Sequence, residues 1–265
     1  MSDPYLPPEI LDCIVDLLRD DPEVLKECCL ASRSWIPRTR KHLFTCLTFR
    51  TRTVKLWKMA FPDPSASPAC YAEALFIACP HVLIAAGPEA DSWFREFSRV
   101  VHLEVSLPPI CQLATFLTPL HGLSPTVRSL HMKFDTLLLP SQMFDLILSF
   151  PLLKDLAMIN YEGRPLANND DGSYGLLTVD QPSSSPMFTG SLELRVRKEV
   201  EPIGRELLSL PGGLYFRKFN MTWFHEEDIS LTTALVEECS HALESLEITC
   251  DLHRTSISAS VCPHQ

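Results

Sequence analysis

Three Cys-x-His pairs, Cys79 with His81, Cys239 with His241 and Cys262 with His264, carry the residue types best able to do chemistry in this chain. Thiolate and imidazole at short spacing are the ligands that structural zinc sites favour. Two of the pairs stand where a helical stretch gives way to a strand, and Phe150-Pro151-Leu152 fills the same place with no ligand at all. The pattern marks a turn, so no metal and no other cofactor is expected. The ten cysteines fall at irregular spacings, and Met1 to Glu9 shows no export signal, so reduced thiols are expected rather than a disulfide framework. Catalytic signatures are missing too: there is no Gly-x-x-x-x-Gly-Lys phosphate cradle, no His-Glu-x-x-His and no Gly-x-Ser-x-Gly, and only nine glycines in all. The residues read as those of a binding protein and not of an enzyme.

Composition agrees with a folded chain: 46% of the residues are apolar and 21% charged. A net charge of -10 disfavours a protein that coats nucleic acid or an anionic membrane. The charge is segregated. Eight Lys or Arg and no acid lie between Arg33 and Lys58, whereas eight acids against Arg19 and Lys26 lie between Asp3 and Glu27. A nucleic-acid patch in the basic run is disfavoured because no aromatic stacking platform is interleaved with it. The longest apolar stretch, Leu137 to Leu153, is broken by Pro140, Ser141, Gln142, Asp145 and Pro151, so no membrane span is expected. The expected location is cytoplasmic or nuclear.

The elements that would position a binding surface begin at once. Leu6-Pro7-Pro8-Glu9-Ile10 opens an amphipathic stretch in which Ile10, Leu11, Ile14, Val15 and Leu18 recur at helical spacing, with proline in the first turn. Asp21-Pro22-Glu23 repeats the start signal for a second helix carrying Leu25, Cys28, Cys29 and Leu30, and Pro37 to Phe44 reads as a third, basic helix. Three such short helices make a very small core, which calls for a partner or a neighbouring domain.

Leu6-Pro7-x-Glu9-Ile10, then Leu25, Cys28 or Cys29, then Ala31-Ser32-Arg33-x-Trp35, closely resembles the F-box family, in particular its members expanded in mushroom-forming fungi. The resemblance implies that the first two helices dock the adaptor subunit of an SCF-type ubiquitin ligase, and through it a cullin. It implies Leu6, Pro7, Pro8, Glu9, Ile10, Ile14, Leu18, Leu25, Cys28, Cys29, Leu30, Ser32, Arg33 and Trp35 as the adaptor-binding residues, with Trp35 anchoring the second turn. Ala31 departs from the valine usual in that family.

Behind this module a period appears. The template apolar-x-x-apolar-x-apolar fits Val100, Leu103, Val105; Val127, Leu130, Met132; Leu153, Leu156, Met158; Phe216, Phe219, Met221; and Leu243, Leu246, Ile248, with a weaker copy at Leu192 and Leu194. The central residues 103, 130, 156, 192, 219 and 246 are separated by 27, 26, 36, 27 and 27. Helical periodicity lies between: Leu113, Phe116, Leu117, Leu120; Met143, Phe144, Ile147, Leu148; and Leu231, Ala234, Leu235 with Ser230 as N-cap. The pattern predicts an α/β chain of stacked strand–helix units with parallel strands inside and helices outside, and it resembles the leucine-rich repeat family. That family's turn asparagine or cysteine is replaced by Pro108, Asp135, Tyr161, Arg197, Phe224 and Asp251, so the array is degenerate.

The expected organisation is a helical module over 1–48, a connecting segment or irregular first repeat over 49–98 and a solenoid over 99–255 with an insertion at 161–190. A disordered tail is expected over 256–265. Tyr71 to Cys79 and Asp91 to Phe97 look helical. The resemblance implies a substrate receptor that holds the adaptor through its helices and an unknown protein target on the repeat surface. A repeat-based scaffold that recruits no ligase is the alternative.

Overall fold

Leu103 and Val105 are fully buried while His102, Glu104 and Ser106 stay in partial contact with solvent, and Leu130 and Met132 stand in the same way among Ser129, His131 and Lys133. That period of two makes a sheet with one face in the core. The computed structural model describes residues 7–78, 90–107, 120–123, 125–134, 140–160, 188–196, 200–210, 212–224, 228–250 and 256–260. Among them are nine strands: β1 Cys46–Phe49, β2 Ala74–Ile77, β3 His102–Ser106, β4 Ser129–Lys133, β5 Asp155–Asn160, β6 Ser191–Val196, β7 Lys218–Phe224, β8 Ser245–Cys250 and β9 Ser256–Ser260. They form one sheet in chain order, with β1 to β8 parallel and β9 antiparallel to β8.

Among the described residues eight α-helices accompany the strands: α1 Pro8–Leu17, α2 Pro22–Ala31, α3 Ile36–Phe44, α4 Thr51–Ala60, α5 Ala90–Arg95, α6 Pro140–Leu148, α7 Val200–Leu208 and α8 Ile229–Cys239. The chain is thus α/β, with three helices ahead of a parallel sheet. Proline opens α1 and α2 and lies in the first turn of α3, and Asp21 accepts the N–H groups of Glu23 and Val24 at 3.2 and 3.1 Å to start α2. The N-cap of α8 is Asp228, so Ser230 lies inside the first turn and is not the cap. No helix among the described residues is long and apolar enough to cross a membrane.

Neighbouring strands register the spaced residues on one another. Leu103, Leu130, Leu156, Leu192, Phe219 and Leu246 are successive Cα partners, and the row runs back through Leu75 to Leu47. A second inward row joins Phe49, Ile77, Val105, Met132, Met158, Leu194, Met221 and Ile248. The segment over 49–98 is therefore no mere connector, and a boundary at 48 would cut β1. Tyr71 ends a short 3₁₀ turn over Pro68–Tyr71 and is followed by β2, not by the helix its spacing suggested. Likewise the expected disordered tail contributes β9 over Ser256–Ser260.

Backbone carbonyls hold the entry ends of the strands together. Thr45 O accepts the N–H groups of Glu73 and Ala74 at 2.8 and 3.0 Å, Glu73 O those of Val101 and His102, Val101 O those of Arg128 and Ser129, and Arg128 O those of Lys154 and Asp155. Gly190 and Arg217 repeat the motif farther on. At the 36-residue step one N–H goes to a side chain: Lys154 O accepts from Gly190, and Asp155 Oδ1 accepts from the Ser191 N–H at 2.7 Å and its hydroxyl at 2.8 Å. Most of the 161–190 insertion, residues 161–187, lies outside the described residues, as do five of the six turn positions named above.

One continuous core runs along the sheet from β1 to β8. At its first end Phe49, Trp57, Phe94 and Phe97 are buried together, with Phe44 and Phe61 packed against them. Phe97 meets the rings of Phe49, Trp57 and Phe94 with centroids 5.8, 6.1 and 5.9 Å away.

Candidate protein-docking site on the N-terminal helices

At about 100° per residue, α1 carries two adjacent apolar stripes. Leu11, Val15 and Leu18 face inward or sit half-buried, whereas Ile10, Ile14 and Leu17 are 47%, 37% and 85% exposed. Positions i, i+4 and i+7 on an outward face are the spacing with which a helix docks another protein. Pro7 precedes the stripe, with its carbonyl accepting the N–H groups of Ile10 and Leu11 at 3.0 and 3.2 Å, and Pro8 and Glu9 are exposed in the first turn. Leu6 lies outside the described residues.

The second helix divides its expected docking residues. Leu30 is 81% exposed and Arg33 is exposed, but Leu25 and Cys28 are buried. These two are turned into the helical module, where α2 packs on α3, and not toward solvent. Cys29 is half-buried with its Sγ 2.8 Å from Thr39 Oγ1. Because the Thr39 hydroxyl donates to the Trp35 carbonyl at 2.8 Å, the thiol is the donor in that pair. Ser32 Oγ lies 2.8 Å from Ser34 Oγ, and half-buried Trp35 caps α3 by accepting the Thr39 N–H at 3.0 Å. Sequence reasoning left out Leu17 and Val24, although Leu17 completes the i, i+4, i+7 spacing from Ile10.

A triad of side chains locks α1 to α3. The Arg38 guanidinium grips both carboxylate oxygens of Asp16, and His42 Nε2 stands 2.7 Å from Oδ1. Arg38 first, and His42 second, hold the Asp16 carboxyl well below the usual carboxylate range. A depressed folded-state pKa contributes stability that is complete above the unfolded value and fades as pH falls through the folded one. Asp16→Asn should therefore be less stable than the wild type at pH 7, and the gap should narrow as pH drops below about 4. Urea melts of both proteins at pH 7 and pH 3 check this; a gap that does not narrow would mean the triad is not formed in solution.

The sheet face turned away from the core is mostly polar, apart from Phe76 and the buried Ala157 and Ile159 of β5, and carries its own cluster. His102 and His131 meet edge-to-face at 4.6 Å, Phe76 lies 5.6 Å from His102, and His102 Nδ1 is 3.0 Å from Ser129 Oγ. Burial pushes both imidazoles below their ordinary pKa. Lys133 Nζ donates to Glu104 at 2.6 Å, and Arg195 pairs with Glu193. Of the Cys-x-His pairs, Cys239 is buried in the core with its thiol pushed up to about 11, and His241 rests edge-on against Tyr215 at 4.8 Å. The other two pairs lie outside the described residues.

No family model, curated protein or solved structure matches the chain.

Proposed function

We propose that this chain is the substrate receptor of an SCF-type ubiquitin ligase, with an F-box module over α1–α3 and a degenerate leucine-rich-repeat solenoid behind it. The observation that carries the reading is the solvent-exposed stripe of Ile10, Ile14 and Leu17 immediately after Pro7-Pro8, at the positions where an F-box meets its adaptor. An isolated module of this size has every reason to bury those side chains in itself, and leaving them outside is the mark of a docking surface. The chain itself does no catalysis in this scheme. It holds a target near a ubiquitin-bearing subunit, and proximity supplies the rate. The polar sheet face around His102, His131 and Glu104 is where a protein target would sit, and the complex would work in the cytoplasm or the nucleus.

Ile10→Asp with Ile14→Asp tests it. Each truncated or charged anchor costs about 2 kcal/mol or more, so the pair should weaken adaptor capture roughly a thousandfold. Co-purification with the adaptor is the readout, with the thermal melt as control for folding. Wild-type capture by the double variant removes the ligase reading and leaves the scaffold. That second reading draws on Phe44 and Leu47, which pack onto the sheet core and tie the helices to its first edge.

A further inference from the structure

The fourth helix has two opposite stripes. Val54 and Trp57 point into the core, while Arg52, Lys55, Leu56 and Met59, at i, i+3, i+4 and i+7, point to solvent. Leu56 is 53% and Met59 78% exposed, and the two cations stand beside them in a stretch with no acid between Glu27 and Asp63. The stripe on α1 is its counterpart: Ile10, Ile14 and Leu17, with exposed Glu9 in the first turn, and Asp20, beside Arg19, and Asp21 just beyond the helix. Within one chain both stripes stay exposed, so neither covers the other.

We infer that the α1 stripe of one copy docks on the α4 stripe of a second copy. Charge selects this pairing, because α1 against α1 sets acids on acids and α4 against α4 sets cations on cations, whereas α1 against α4 joins opposite signs around two apolar seams. The contact is heterologous, since it uses different patches on the two copies, and it can therefore extend from copy to copy. A single helix crossing buries less than a standard interface, which makes the association transient and concentration-dependent. The inference stands apart from the ligase reading, although both use Ile10 and Ile14, so a partner docked on α1 and a second copy would exclude each other.

Sedimentation of the full chain tests the pairing with two variants of exposed residues: Ile14→Asp, and Arg52→Glu with Lys55→Glu. The wild type should associate as its concentration rises to roughly hundreds of micromolar, and less so in high salt. Each variant alone should associate at least tenfold more weakly, yet their equimolar mixture should form a one-to-one dimer and nothing larger, because each supplies the stripe the other lacks. A wild type that stays monomeric throughout that range overturns the inference. So does a charge-reversed variant that associates as the wild type does, which would mean α1 pairs with itself, and so does a mixture that stays monomeric. The Arg52→Glu with Lys55→Glu variant should capture the adaptor normally, so failure of the ligase reading and failure of self-association are separate results.

Discussion

Phe97→Ala is expected to cost about 3–5 kcal/mol of unfolding free energy, the range for deleting a fully buried phenyl ring. Phe97 is buried where α4, β1 and the turn after α5 converge, and its ring touches Phe49, Trp57 and Phe94. Trp57 in turn meets Phe44 and Phe61, so the hole would open at the hub of a six-ring cluster. Large rigid rings cannot collapse into such a space the way leucines can, which puts the expected cost at the upper part of the range. Urea denaturation measures it directly. A loss below about 1 kcal/mol would show that the ring hub is not consolidated in solution.

Gly190→Ala carries the second large effect. A Cβ at this position would lie 2.2 Å from Asp155 Oδ1, the oxygen that accepts both the N–H and the hydroxyl of Ser191. The carboxylate must swing away, and hydrogen bonds to a charged group are worth about 1.5–3 kcal/mol. Alanine gives back a few tenths to about 1 kcal/mol by restricting the unfolded chain, so the net expected loss is about 1–2 kcal/mol. Asp155→Ala removes the same bonds without the clash. The double variant should therefore be no less stable than Asp155→Ala alone, and a double-mutant cycle that came out additive would contradict the contact.

The apolar-x-x-apolar-x-apolar spacing located β3 to β8 because burial of one sheet face forces a two-residue alternation, which β5 blurs by burying Ala157 and Ile159 on its other face as well. The same template also fits Phe44, Leu47, Phe49 and Ala72, Leu75, Ile77, which are β1 and β2 with their entering turns. Those units were hidden for physical reasons. Phe44 serves a helix and the core at once, and Ala72, Leu75, Phe76 and Cys79 mimic helical spacing by coincidence. Ser256-Ile257-Ser258-Ala259-Ser260 alternates as a strand should, but a search for amphipathic helical period passes over it. On the N-terminal helices the spacing of Ile10 and Ile14 was legible, whereas the burial of Leu25 and Cys28 was not, because a period shows that residues share a face without showing which face is covered. The Asp16–Arg38–His42 triad joins residues more than twenty apart and leaves no local signal.

Strand order has a consequence for biosynthesis. Among the described residues every strand from β2 to β9 hydrogen-bonds the strand that precedes it in the chain, and none is inserted between two already paired. A nascent polypeptide that emerges from its N-terminus can therefore extend a finished edge each time a unit clears the ribosome, with no later segment needed to complete an earlier one. Among the described strands the widest step along the chain runs from Asn160 to Ser191. Until β6 pairs with it, β5 is the rim of the sheet, with Leu156 and Met158 turned inward. A chain halted before β6 would end its sheet at β5, the edge that β6 later covers.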